Sequence, residues 1–125
     1  MSRTDNDAMH DSWVQAVEKG DPALIASFYA PDAHLLPPGM PAVEASGLQA
    51  FFEQFLGMGI TGARLESVRY EEGGDIQVAE GRYQLLGGSG VLDTGKYVDV
   101  AKRQPDGSLK MIIDIFNSDQ APATA

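Results

Sequence analysis

The sequence predicts an α+β fold. Two observations carry this. Helical periodicity is confined to the first half of the chain, and the second half alternates in long stretches separated by glycine-rich turns. At 125 residues the chain suits one core, so residues 1–125 are read as a single domain with residues 1–4 and 120–125 as loose ends.

The elements follow in order. Thr4-Asp5-Asn6-Asp7 resembles a helix start, with acidic residues in the first turn. Met9, Trp13, Ala16 and Val17 then give one apolar stripe, and Gly20 ends the helix. Asp21-Pro22 restarts it, as an N-cap followed by proline at the first helical position. Leu24, Ile25, Phe28 and Tyr29 face the core from this second helix, which Pro31 and Asp32 stop. Ala33–Leu36 reads as a short strand and Pro37–Gly47 as a loop. Ser46 and Gln49 fit a capping box for a third helix whose apolar side is Leu48, Phe51, Phe52, Phe55 and Leu56. Four strands follow, over 62–72, 76–86, 92–103 and 109–118. EGGD, GGSG and PDG supply the turns of an antiparallel meander.

The last strand, KMIIDIFNSD, places a carboxylate between Ile113 and Ile115. Alternation puts Lys110, Ile112, Asp114 and Phe116 on one face and Met111, Ile113, Ile115 and Asn117 on the other. Both faces are apolar enough to need cover. The helices can cover one, and a partner subunit is the simplest cover for the other. On the preceding strand Tyr97, Asp99 and Ala101 share a face. A simple register brings Tyr97 opposite Asp114, and a shift of two residues brings the two carboxylates closer. Such a pair is costly to bury unless hydrogen-bonded, and each acid can raise the other's pKa. Either Asp could instead bond a backbone group, a tyrosine hydroxyl, Arg69 or Arg82.

Other side chains qualify as candidates. His34 could serve as a general base, although alternation puts it on the face opposite Leu35 and Pro37. His10, one turn before Val14, is expected at the rim or surface. Tyr29, Tyr83 and Tyr97 could donate a hydrogen bond to a ligand carbonyl. Met40 and Met58 flank loops and could shape an apolar entrance.

Several function classes are disfavoured. There is no cysteine, hence no disulfide, thiolate ligand or cysteine nucleophile. A net charge of −9 opposes binding to nucleic acid or anionic membrane. The N-terminus has no apolar signal-peptide core, and no membrane-length apolar run exists, so a cytoplasmic location is expected. Two histidines without metal-ligand spacing argue against a metal site, and no cofactor is expected. GGSG lacks the lysine and following helix of a phosphate cradle, and no G-x-S-x-G elbow exists.

AVEKGDPALIASFYAPDA (16–33), GLQAFFEQF (47–55), GKYVDVAKRQPDGSLK (95–110) and IIDIFNSD (112–119) together resemble the nuclear transport factor 2-like superfamily. The closer likeness is to its ketosteroid-isomerase-like and SnoaL-like (polyketide-cyclase-like) branch. The resemblance covers nearly the whole chain. It implies a cone: a curved antiparallel sheet wrapped around three N-terminal helices, with a deep apolar pocket and a homodimer joined through the outer sheet face. Counting along the isomerase pattern, the general-base Asp falls on Pro37 and the helix phenol on Trp13, while the protonated Asp of the oxyanion hole falls on Asp99. Ile112, Asp114 and Phe116 fall on pocket positions. One of the three catalytic elements is thus retained, and Asp114 is a candidate for a relocated base or a ligand anchor.

Two functional readings result. One is a small-molecule-binding protein whose apolar ligand carries a carbonyl or hydroxyl. The other is an isomerase, cyclase or lyase-type enzyme using Asp99 and Asp114, with His34 or a tyrosine, for acid–base chemistry. In both, Trp13, Tyr29, Tyr83, Tyr97, Ile112 and Phe116 contact the ligand. An epoxide-hydrolase variant would need Arg82 between the two acids, and a plain dimerisation module is a further alternative.

Overall fold

A computed structural model describes residues 3–121. The expected loose ends at residues 1–2 and 122–125 lie outside the described residues, whereas Arg3 and Thr4 already belong to a helix. That helix, α1, spans Arg3–Lys19. Gly20 follows it with φ 65°, a conformation other residues adopt only under strain. Asp21 caps α2 (Pro22–Ala26), its Oδ1 accepting from Leu24 N at 3.1 Å.

From there the chain enters the sheet earlier than expected. Strand β1 spans Tyr29–Leu36 and includes Pro31 and Asp32. Its pairing is irregular between Tyr29 and His34, which gives Pro31 a place without a ladder hydrogen bond. Tyr29 therefore projects from a strand and not from a helix. The segment read as a loop contains a two-residue strand, β2 (Val43–Glu44), and a 3₁₀ turn at Ala45–Gly47. The expected capping box does not form: Ser46 sits within that turn, and α3 (Leu48–Gly57) starts from Gly47 without a side-chain cap.

The four long strands lie where the alternation put them: β3 (Gly62–Gly73), β4 (Ile76–Gly87), β5 (Gly90–Arg103) and β6 (Leu109–Ser118). The sheet order is β2-β1-β6-β5-β4-β3. Every pairing is antiparallel except β1 with β6, which is parallel and adds the early strand to the meander. The curved, unclosed sheet holds the three helices. Ala16, Val17, Ile25, Leu35, Leu48 and Phe52 form the driest part of the core.

Two tyrosines lie flat against this sheet, each over a glycine of the facing strand. Tyr97 on β5 is paired with Gly81 on β4, and Tyr83 on β4 with Gly95 on β5. A Cβ at Gly81 would collide with the Tyr97 phenol and the Glu66 carbonyl. One at Gly95 would collide with the Tyr83 ring and the Asn117 carbonyl. The missing side chains are thus the space the rings occupy. On the outer face, Val98 pairs with Ile115 and Val100 with Ile113. Val98, Ile113 and Ile115 are all more than a third exposed. No helix of the described residues is long and apolar enough to cross a membrane.

Gly81→Ala and Gly95→Ala should each destabilise the fold by about 1–3 kcal/mol through overpacking. Gly88→Ala, with open space around it, should stay within about 0.5 kcal/mol. Denaturant midpoints of the three variants check this, and equal stabilities would refute the ring-on-glycine packing.

Candidate active site

The site begins with the phase of α1. Asn6, Met9, His10 and Trp13 fall at i, i+3, i+4 and i+7, which turns all four toward the sheet. His10 is only 5% exposed, contrary to the rim or surface position expected for it. The apolar stripe alone had defined the buried face. The signal was present: His10 lies between Met9 and Trp13 on the same stripe.

Across from α1, β5 presents Tyr97 and Asp99 and β6 presents Asp114 and Phe116. The pairing shifts between Val100 and Ala101, which leaves Ile112 as an extra residue on β6. The bulge sets Asp99 directly opposite Asp114 and Tyr97 opposite Phe116, the shifted register and not the simple one. It also turns Met111 inward in place of Ile112. Ile112 is half-buried but does not line the interior space, so its expected ligand contact is not found.

The interior space is a cavity of about 60 Å³. His10, Asp99 and Asp114 are its ionisable groups besides tyrosine. Trp13, Tyr29, Tyr83, Tyr97 and Phe116, all expected as ligand contacts, line it together with Phe51, Phe52 and Phe55 of α3. The rings brace one another. Trp13 meets Phe52 and Phe55 edge-on, and Tyr83 meets Phe116 edge-on at 5.9 Å. His34 is exposed on the outer side, in register with Glu44 and Ile113, because its neighbours Ala33 and Leu35 take the inward positions. Arg82 is exposed as well, beside Glu66 and Lys96 in the ladder, so no Asp-Arg-Asp arrangement forms.

Two hydrogen-bonded pairs meet in the cavity. His10 Nε2 lies 2.7 Å from Asp99 Oδ2. Tyr29 Oη donates to Asp114 Oδ2 at 2.7 Å. Asp99 Oδ1, Tyr97 Oη and Trp13 Nε1 are buried with no partner at hydrogen-bonding geometry. Tyr83 is held from outside the cluster, its hydroxyl donating to Asp93 Oδ2 at 3.0 Å while Ser118 Oγ donates to Asp93 Oδ1 at 2.6 Å.

These surroundings shift the titrations. Desolvation by burial, then the charge of Asp99, raises the Asp114 carboxyl from 3.8 to about 7. The Tyr29 bond and the His10 charge act in the opposite sense and are outweighed. Asp114 keeps some surface and lines the aromatic-walled cavity. For His10, burial lowers the pKa, but the hydrogen bond and charge of Asp99, with Asp114 and Asp7 behind it, raise it overall. Tyr29 and Tyr97 are pushed above the ordinary phenol range, first by burial and then by the neighbouring acids, so both remain donors.

The arrangement can therefore hold a proton near neutrality, stabilise an imidazolium beside a carboxylate, and offer phenolic donors inside an aromatic wall. Helices enclosed by a curved sheet give the chain the fold of nuclear transport factor 2-like proteins. Within that class the chain belongs to the SnoaL-like domain family, whose pattern matches residues 10–109. Solved structures agree on the fold. An NTF2-like protein of unknown function from Shewanella oneidensis MR-1 superposes with a TM-score of 0.78 at 14% identity, over 93% of this chain and 98% of that one. A protein of unknown function from Mycobacterium tuberculosis gives 0.79 at 16% identity, over 94% and 76%. A ketosteroid isomerase-like protein from Erwinia carotovora atroseptica gives 0.70 at 15% identity, over 92% and 94%. No curated protein matches the chain.

A raised carboxyl pKa links stability to pH. Folded Asp114 binds its proton more tightly than unfolded Asp114. Its favourable contribution is therefore complete below about pH 4 and is lost as pH rises through about 7. His10, also raised, acts in the same direction at higher pH. Asp114→Asn removes the first term, so its stability relative to the unmodified protein should be higher at pH 8 than at pH 4. Denaturant titrations at the two pH values check the sign, and a constant difference would refute it.

Proposed function

We propose that the protein binds a small apolar molecule bearing a carbonyl or hydroxyl and moves a proton on it, as an isomerase, cyclase or lyase-type acid–base enzyme. The observation that carries this is the placement of Asp114 opposite Asp99, with His10 on one acid and Tyr29 on the other. A base is most effective when its pKa lies near the working pH, and Asp114 is raised to about 7. The likeness to a ketosteroid isomerase-like protein supports the same class of chemistry.

In this reading the Asp114 carboxylate takes a proton from the carbon next to the substrate carbonyl. The C–H electrons form a C=C bond, and the carbonyl electrons move onto oxygen. The Tyr97 hydroxyl, at the cavity wall, donates to that oxyanion. On a substrate with a C=C bond β,γ to the carbonyl, protonated Asp114 then gives the proton to the γ-carbon while the oxyanion electrons restore the C=O bond, so isomerisation balances without a co-reactant. Tyr29 positions Asp114 by its hydrogen bond. Asp99 bonds His10 and raises its pKa, and together they shape the field around the reacting group.

Deuterium incorporation from solvent into enolisable ketones, followed by NMR, tests the reading. Asp114→Asn should slow exchange by about 10²-fold or more, while Asp114→Glu should retain part of it. Exchange by Asp114→Asn at the unmodified rate, with a ketone shown to bind, would sink the proposal.

The outer sheet face supports a second copy as partner. The stripe Val98–Ile115 and Val100–Ile113 is apolar and exposed at its centre, and the same patch on two chains can meet around a two-fold axis. Glu80 and Arg82 beside it supply both signs of charge for such a face. Light scattering at micromolar concentration should give a dimer, and Val98→Lys with Ile115→Lys should give a monomer. A monomeric unmodified protein would end this part of the proposal.

A further inference from the structure

The cavity holds more negative charge than it answers. Two carboxylates face each other across β5 and β6, and among the described residues the only basic side chain lining the space, His10, is engaged with Asp99. Asp114 receives only the Tyr29 hydroxyl, which is a dipole and not a counter-charge. The neighbouring elements supply nothing further: α3 presents phenylalanines, β4 presents Tyr83, and β1 presents Tyr29 and Leu35. A buried carboxylate without a cation must take a proton or find a positive ligand.

The walls suit such a ligand. Trp13, Phe51, Phe52, Phe55, Tyr83 and Phe116 surround the space, and aromatic rings attract organic cations through their electron-rich faces. The volume, about 60 Å³, matches a compact head group better than a fused ring system. The chain's net charge of −9 draws cations toward the mouth.

We propose that the cavity is also a binding site for small organic ammonium groups, with Asp114 as the counter-ion and the aromatic ring walls as the cage. This goes beyond the acid–base reading and does not require turnover. Binding exchanges the proton on Asp114 for the ligand's charge. Affinity should therefore rise as pH increases through the range in which Asp114 ionises, a range also set by Asp99, His10, Tyr29 and Tyr97.

Choline and its uncharged isostere 3,3-dimethyl-1-butanol provide the test, by calorimetry on the full chain at pH 5 and pH 8. Choline should bind at least tenfold more tightly at pH 8 than at pH 5, and at least tenfold more tightly than the isostere at pH 8. The isostere's affinity should not change with pH. Asp114→Asn should abolish choline's pH dependence, and its retained affinity for the neutral isostere would show that it folds. Equal affinity for choline and the isostere at pH 8, or a choline affinity unchanged between the two pH values, would overturn the proposal. Ketone exchange is scored separately, so either proposal can fail while the other stands.

Discussion

Two carboxylates facing each other on adjacent strands, inside a sheet that keeps water away, set the terms for the rest of the structure. Each ionised carboxylate removed from water costs several kcal/mol unless compensated, whereas a hydrogen bond to a charged group returns about 1.5–3 kcal/mol. His10 brings both a hydrogen bond and a charge to Asp99. Tyr29 brings only the hydrogen bond to Asp114. The imbalance decides the outcome: Asp99 is bonded to a histidine whose pKa it raises, and Asp114 is left holding its proton up to about pH 7.

The backbone that delivers this pair is shaped by absences of side chain. Gly81 and Gly95 give Tyr97 and Tyr83 room to lie across the sheet. The rings in turn form the wall beside the acids. The bulge at Ile112 does the other half of the work, because without the extra residue Asp114 would lie out of line with Asp99. The charge pair, the ring wall and the curvature of the sheet are consequences of one set of local backbone choices on β4, β5 and β6.

Those choices explain what could be read in the sequence. The four long strands and their turns were legible because alternation over ten or more residues is a strong signal, and so were the helix restart at Asp21-Pro22 and the two acids on one inner face. Other features were not. Nothing in KMIIDIF marks Ile112 as a bulge, so Ile112 was placed where Met111 points. Pro31 and Asp32 carry helix-stop chemistry, which hid the fact that the strand already begins at Tyr29. His10 was set aside because a lone polar residue on an apolar stripe reads as rim until a partner for it is known, and its partner stands 89 residues away. The outward position of His34 was legible, because alternation already sends it to the face opposite Leu35; only its motif had made it a general-base candidate.

The proposed chemistry rests on the same uncompensated acid. A solvated aspartate near its ordinary 3.8 is ionised at neutral pH but is a weak base. Raised to about 7, it is still partly ionised and far more basic. Burial and Asp99 push it upward, while Tyr29 and His10 pull it back. Without Tyr29 and His10 its pKa would lie higher still, and without burial and Asp99 it would fall back toward the ordinary carboxylate range. The four groups act on one carboxyl, and the stability that the fold gives up when Asp114 ionises is the free energy on which the proposed base would draw.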